Sequence, residues 1–516
     1  MRTNLLFTLC LILFHFLFWK EGMGINLCLF ASLLLAYQKV THQSPFKLSE
    51  LLYLIPFSLA AIGVVLVNTS VSVVVLVLSF ATYSGYLHNQ QSSVLENFFS
   101  GAISFFSLRQ PIFPQAILKE RGRKPAGLVY MRIALLPLLL FIVFFALFHA
   151  GNAIFRDWSN AAFGNFFSFL DRLDYTYFFF IIFGLLITRW AFLKLRKQPL
   201  VLQSGNFLKR KWEPLKTKRH FKTLALKHEY LSALLAFGSL NLLLLAINII
   251  DIKWVWFQFY VPEQFSLKDF VHEGVGWLLV SLILSAALVF FFFRKNLNFF
   301  PDKGWLKALA IAWVLQNLIL TVSVAIRTFH YIGFHGLASK RITLILFLSI
   351  VAVALVSLAV KVYQKRNAAF TVRWVSAYSL LLFGLCSVIN WDALIARVNL
   401  NHGMANEIDV DNYLDLNPQV FPTLYANLDR IEYQIERHNT NEVRWINYTS
   451  MERFKEALDH RAKAYLRQQQ SLGVASWNYA DAEASHALKA RLWDFLDKLA
   501  GCFRLLSLCE APAFGQ

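Results

Sequence analysis

HEGVGWLLVSLILSAALVFFFFR, residues His272 to Arg294, decides the fold. About twenty of these residues form one apolar run, long enough as a helix to cross a hydrocarbon core of roughly 30 Å. Similar runs lie near 4–19, 24–38, 51–67, 71–87, 128–149, 174–193, 229–250, 273–294, 305–326, 342–362 and 373–390, and they stop at Trp391. The expected fold is all-α. It is a polytopic transmembrane helical bundle of about eleven spans, followed by a C-terminal extramembrane helical domain. The first two runs are short and read as a tight hairpin that crosses incompletely or suits a thin membrane. The opening MRTNLLFTLCLILFHFLF lacks a small-residue cleavage site and reads as retained.

Composition agrees. The hydrophobic fraction is 57% and the mean hydropathy is +0.49, outside the soluble globular range. The net charge of +19 is unevenly spread. From Asp392 onward there are 13 Lys+Arg against 17 Asp+Glu, and the residues before it hold 37 against 14. The basic excess therefore lies between apolar spans, where it marks cytoplasmic loops and argues against a nucleic-acid partner. The segment 194–227 is the most basic, and the loop with Arg109, Lys119, Arg121, Arg123 and Lys124 follows it. The loops 150–173 and 251–272 are poor in Lys and Arg and are expected outside. With about eleven crossings, the N-terminus is cytoplasmic and the C-terminus extracytoplasmic. The loop 327–341 is expected outside although it carries Arg327, Lys340 and Arg341.

Four regions follow: N-terminal hairpins over 1–88, an amphipathic cytoplasmic surface segment over 89–127, the main bundle over 128–391, and an extracytoplasmic helical domain over 392–516. In the tail, Thr449 and Glu452 have capping-box spacing. Met451, Phe454, Leu458, Ala462 and Tyr465 then recur at helical spacing. A second helix is expected from Asp481 to Ala500, with Gly501 as its C-cap. Cys502 and Cys509 would form a disulfide only in an oxidising compartment and with suitable geometry.

The familiar catalytic patterns fail. His228-Glu229 and His272-Glu273 open like zinc-protease helices, but Ser232 and Gly276 stand where a second His is needed. No cysteine pair has zinc spacing. His15 and His149 are too isolated for haem ligation. The sequence therefore implies no cofactor and no metal. What remains is a set of polar residues at the outer ends of the later spans: Asn248, Asp251, His272, Glu273, Gln316, Asn317, Arg327, Tyr331, Arg341, Asn390, Asp392 and Arg397. Polar groups in lipid face the bundle interior or a cavity. They read either as an outward polar cleft or as helix-end solvation with ion pairs, in which Asp251 or Glu273 would meet Arg327 or Arg341. Asn241, Asn248 and Asn317 also read as interhelical hydrogen-bonding residues.

The stretches FWKEGMGINLCLF (18–30), NLLLLAINIID (241–251), VHEGVGWLLVSLIL (271–284), QNLILTVSVAIRTFHYIGFHGLASKRI (316–342) and INWDALIARVNLN (389–401) occur in an order that resembles one family. It is the bacterial integral membrane protein family catalogued as domain of unknown function 4173. The resemblance singles out most of the polar set above, together with Gly336, Ala396 and Asn399. This chain has Gly336-Leu337-Ala338 where the family pattern has Gly-Leu-Thr. The tail stretches 413–428 and 442–449 are similar as well. The resemblance implies a bacterial cytoplasmic membrane and no established activity.

Three functional readings follow. The favoured one is a non-enzymatic envelope sensor or scaffold, whose C-terminal domain meets an envelope protein, lipid or glycan. The second is a transporter or lipid-handling protein that uses the outward cleft. The third is a membrane enzyme acting on an envelope lipid or glycan, with Glu273 or Asp392 as acid/base and Arg327 or Arg341 as anion binder.

Overall fold

A computed structural model describes residues 2–42, 45–88, 90, 92–106, 175–192, 221–257, 267–293, 304–401, 410–440 and 450–491. The expected span 128–149, the loop 150–173, most of 194–227, Gly501 and the pair Cys502 and Cys509 lie outside the described residues. Every described element is helical, as expected of a membrane bundle with a helical tail.

In chain order, the first helices are α1 (Arg2–Phe18), α2 (Ile25–His42), α3 (Leu51–Leu66), α4 (Ser70–His88), α5 (Val94–Phe106) and α6 (Tyr175–Phe192). The later bundle contains α7 (Phe221–Asp251), extended by a π turn at Ile252–Phe257, then α8 (Leu267–Phe292), α9 (Gly304–His335), α10 (Ser339–Gln364) and α11 (Ala368–Cys386). The tail contains α12 (Trp391–Asn401), α13 (Asp411–Asp415), α14 (Phe421–Tyr425), α15 (Leu428–Thr440), α16 (Met451–Ser471) and α17 (479–491). Among the described residues, six helical stretches are long and apolar enough to cross a membrane: Leu48–Leu66, Ser70–Leu87, Tyr230–Phe257, Gly304–His335, Ser339–Gln364 and Ala368–Cys386. Leu6–Phe18, Ile25–Thr41 and Ser281–Phe292 are shorter apolar helices.

The chain divides into two compact units, Met1–Lys20 with Ile103–Arg196, and Glu21–Ala102 with Lys197–Gln516. In the first unit, α1 packs on α6 through aromatic rings. Phe14 stacks on Phe180 at 4.9 Å, and Trp19 meets Tyr177 edge-on at 4.4 Å. Ring pairs at these separations add to the area that they bury.

In the second unit, α11 packs on α3, α4 and α10, while α7, α8 and α10 pack around α9. Phe237, Leu282, Leu306, Trp313, Leu320 and Leu355 are among the buried residues of that second group. At about 48 Å, α9 is longer than the hydrocarbon core is thick. Hydropathy alone ends this span near residue 326, yet the helix continues two more turns and carries Arg327, Tyr331 and His335 with it. The connection from α10 to α11 is capped at both ends. Lys365 takes a left-handed conformation, and the Asn367 side chain accepts the Phe370 N–H.

Of the segment 89–127, the structure describes helix α5 with the residues just before it, and 89, 91 and 107–127 lie outside the described residues. Ser93, Asn97 and Gly101 are buried, whereas Leu95 and Phe99 are exposed. The Asn97 Nδ2 donates to the Tyr53 hydroxyl at 2.9 Å. A Cβ on Gly101 would stand 2.4 Å from the Ala81 carbonyl oxygen, so small residues let the two backbones touch. In lipid, close backbone approach and internal hydrogen bonds drive helix association, and apolar side chains can face the tails at no cost.

The tail has its own core, in which Tyr413, Phe421, Leu424, Ile431, Phe454 and Leu458 are buried. That core also takes in Ile342 of α10 and Ile395 of α12, so it is continuous with the end of the bundle. The cap of α16 is Ser450, whose hydroxyl accepts the Arg453 N–H. It replaces the expected Thr449, which lies outside the described residues. The expected helix 481–500 is described as 479–491.

Candidate functional site

The polar residues singled out in the sequence divide among three sets of partners. The first set joins α7 to α9. The Asn241 Nδ2 donates to the Leu309 carbonyl at 3.0 Å, and its Oδ1 accepts from the Gln316 Nε2 at 2.8 Å. About two turns further along, the Asn248 Nδ2 donates to the Gln316 carbonyl at 3.1 Å. Beyond the end of α7, the Trp256 Nε1 donates to the Ser323 hydroxyl at 2.9 Å. Partners rise together along both helices, so α7 and α9 run parallel. The series includes an ion pair in which the Arg327 guanidinium donates to the Asp251 Oδ1. The Asp251 side chain is 4% exposed and that of Arg327 is 12%. The pair is largely desolvated, so each charge depends on the other. Of the four pairings that the sequence allowed, this one is present, and the two through Glu273 lie outside the described residues.

Asn317 is buried and donates to the Trp313 carbonyl of its own helix at 2.7 Å. Four oxygens on this seam, Asn248 Oδ1, Asp251 Oδ2, Gln316 Oε1 and Asn317 Oδ1, have no hydrogen-bond donor among the described residues. For the three amide oxygens this is less costly than an unpaired buried N–H, and the Asp251 carboxylate is held through its other oxygen by Arg327. His272 and Glu273 lie near the start of α8, and their side chains are outside the described residues.

The second set encloses the connection 336–338. Arg341 donates to the carbonyls of His335 (3.0 Å) and Gly336. Its guanidinium lies 4.4 Å from the ring centre of Tyr331, a cation–π distance. The Tyr331 ring in turn lies 4.4 Å from that of His335. From the other side, Asn399 of α12 accepts the Leu337 N–H at 2.6 Å and donates to the Leu337 carbonyl at 2.9 Å. Gly336 has φ +76°, a conformation that side chains disfavour. A Cβ there would also meet the Asn399 Oδ1 at 2.6 Å. Arg341 is thus used within this connection, while Arg327 is paired with Asp251 of α7. Asn399→Ala removes a matched donor and acceptor. It is expected to destabilise the connection by about 2 kcal/mol, seen as faster hydrogen exchange at the Leu337 amide.

The third set lies under the tail. The Asn390 Oδ1 accepts the Ala393 N–H at 3.0 Å, capping α12, and its Nδ2 donates to Gln419 at 3.3 Å. Asp392 accepts the Asn417 N–H at 3.1 Å. Gln419 leads to Asp481, which also accepts from the Tyr465 hydroxyl at 2.8 Å and the Asn478 Nδ2 at 2.7 Å. Burial, and then the Asp481 charge, push the Tyr465 hydroxyl far above the usual phenol range, so it stays a donor at neutral pH. Arg397 is exposed on α12 and joins none of these sets.

Sequence reasoning missed a fourth contact. In the first turn of α2, Asn26 is fully buried; its Oδ1 accepts the Gly24 N–H and its Nδ2 donates to the Gly22 carbonyl, each at 2.8 Å. This fold presents the turn to the tail segment 472–478. Glu21 accepts from the Gly473 N–H (2.8 Å) and the Ser476 hydroxyl. The Gly22 N–H donates to the Ser476 Oγ at 2.7 Å, and the Ile25 N–H to the Trp477 carbonyl at 2.9 Å. Asn68, after α3, donates to the Met23 carbonyl at 2.8 Å and to Asp481 at 3.4 Å. Two glycines and a carboxylate between apolar runs, KEGMGIN, were the available signal.

The arrangement is chemically conservative. Asp251, Arg327, Arg341, Asn390 and Asp392 each make contacts that hold helices or seat the tail. Among the described residues, no group of His, Cys, Asp or Glu has the composition of a metal site. A family model described as Domain of unknown function (DUF4153) matches residues 52–427. This corrects the family number inferred from the ordered stretches, and the 18–30 stretch falls outside the matched range. No curated protein and no solved structure matches.

Proposed function

This chain belongs to the DUF4153 family, and from that premise we propose that it works as a non-enzymatic membrane scaffold or sensor whose tail engages a partner in the cell envelope. The observation that carries this reading is how the nominated polar residues are used. Asn390 ties the end of the bundle to Gln419 of the tail, Asn399 of α12 holds the connection before α10, Asp392 holds α12 to Asn417, and Asp251 and Arg327 tie one span to another. A displacement of the tail would therefore be felt by α2, α10 and α12 together. Under this proposal the protein sits in a bacterial cytoplasmic membrane, with its N-terminus in the cytoplasm and its tail on the opposite side. A compartment-specific reporter fused after Gln516 tests the orientation, and a cytoplasmic signal would overturn it.

The function is tested by native electrophoresis of membranes holding the full chain, the chain ended after Asn401, or Glu273→Gln. The expected result is an assembly larger than the full chain alone that is lost on truncation and retained by Glu273→Gln. An assembly indifferent to truncation would sink the scaffold reading. Loss of cellular function in Glu273→Gln, with folding intact, would favour a membrane enzyme in its place.

A further inference from the structure

Where the tail meets the turn before α2, the usual order of burial is inverted. Along 476–479 the polar Ser476 and Asn478 are buried, whereas Trp477 is 45% exposed and Tyr479 51%. The elements that face this segment do the same. Asn26, Thr69 and Ser72 are buried at the starts of α2 and α4, and Met23 and Val71 beside them are exposed. The inversion is local. In α16, Phe454, Leu458, Ala462 and Tyr465 are buried while Glu452, Lys455, Glu456 and Lys463 are exposed, the pattern of a helix in water.

The buried polar groups of the seam find partners within the protein. Ser476 donates to Glu21, Asn478 to Asp481, Asn26 to the Gly22 carbonyl, and Ser72 to the Thr69 carbonyl. A surface bathed by water favours the opposite arrangement, with polar groups outward. A surface bathed by lipid requires polar groups to be satisfied inside and lets apolar side chains face outward without penalty.

Helix ends fix the height of the seam. The Ile25 N–H in the first turn of α2 donates to the Trp477 carbonyl at 2.9 Å. Asn68, between α3 and α4, donates to Met23 and to Asp481. Asn390, just past α11, donates to Gln419, which donates to Asp481 at 3.0 Å. Because α3, α4 and α11 have the length and composition of membrane spans, the seam lies where they leave the hydrocarbon.

We infer that segment 476–479 rests in the headgroup layer of the bilayer that holds α3, α4 and α11, with the Trp477 and Tyr479 rings among the lipids. Trp and Tyr favour that layer, since each joins an apolar ring to one polar N–H or O–H. Met23 and Val71 extend the same contact onto the bundle. The tail is thus seated on lipid as well as on protein. Lipid is the occupant that the position selects, because the spans beside the seam bring the bilayer to this height without any further component. The inference is independent of the scaffold reading and holds for a tail on either side of the membrane.

The test uses the full chain, its five cysteines replaced by serine, in phosphatidylcholine vesicles. A nitrobenzoxadiazole label is attached at Tyr479→Cys and, for comparison, at Lys455→Cys, an exposed position about 24 Å of helix from the Ser471 end of α16. Quenchers are a phosphatidylcholine with a nitroxide on its headgroup, and iodide on both faces of the membrane. The expected result at 479 is blue-shifted emission, loss of intensity with the nitroxide lipid and resistance to iodide, with the reverse at 455. Iodide quenching at 479 without nitroxide quenching would mean that the seam faces water, and resistance to both would mean that protein covers it; either overturns the inference. Should the cysteine-free chain fail to insert, Trp477→Phe in the otherwise unaltered chain gives the answer in brominated phosphatidylcholine. The fluorescence lost to bromine should be smaller in the variant, and an equal loss would overturn the inference.

Discussion

Arg327→Ala is expected to destabilise the detergent-solubilised protein by about 3–5 kcal/mol, because it strands the Asp251 carboxylate in a site where that side chain is 4% exposed. Asp251→Asn, which removes the negative charge that the guanidinium meets, should also lower stability. The measurement is thermal unfolding followed by intrinsic fluorescence. The decisive variant is the pair Asp251→Leu with Arg327→Met, which removes both charges while keeping the volume filled. Replacing a buried ion pair by apolar side chains is often neutral or stabilising, so the double variant should recover most of the loss. If the single variants keep wild-type stability but lose cellular function, and the double variant does not recover it, Asp251 and Arg327 belong to a ligand site and the structural account of the seam fails.

The second large effect is expected at Gly24. A Cβ there would stand 2.3 Å from the Ser476 carbonyl oxygen and 2.6 Å from that of Trp477. Both are backbone atoms, so no rotamer change relieves the clash. Gly24→Ala must separate the turn before α2 from the tail segment, and the Ile25 to Trp477 hydrogen bond goes with it. The loss should be about 3 kcal/mol or more, from overpacking and the lost bond together. That is more than a hundredfold in the docked population, at 1.4 kcal/mol per tenfold. Hydrogen exchange and limited proteolysis over 472–478 report it directly. Val474→Ala is the control, since Val474 is 89% exposed and should change nothing. Unaltered protection in Gly24→Ala would mean that the tail is held elsewhere.

The bundle was legible because hydropathy is a long-range average: a run such as 342–362 declares itself whatever its neighbours do. The same averaging concealed the end of α9. Arg327 lowers the local hydropathy, so the span reads as finished, although Asp251 neutralises that charge and the helix continues to His335. The Asp251 and Arg327 pair was nominated among alternatives, and geometry chose it through the parallel run of α7 and α9. In sequence the polar residues after span eleven read equally as part of a cleft or as helix-end solvation. Asn390 is a helix cap and Asp392 a tail anchor, roles that depend on Gln419 and Asn417, which no local pattern connects to them. Glu21, Asn26 and Asp481 escaped notice because isolated polar residues in short connections look like ordinary solvation.

The contact between the turn before α2 and segment 472–478 also sets a clock. Its hydrogen-bonded partners are separated by 452 to 455 residues in the chain. At a synthesis rate of 5–20 residues per second, roughly 20–90 s pass between the emergence of one half and the other. Throughout that interval the carboxylate of Glu21 and the N–H groups of Gly22 and Ile25 await partners that have not been made. The turn before α2 therefore reaches its final hydrogen bonding only after nearly the whole chain has been made, and a chain cut short before Gly473 carries that turn without its partners.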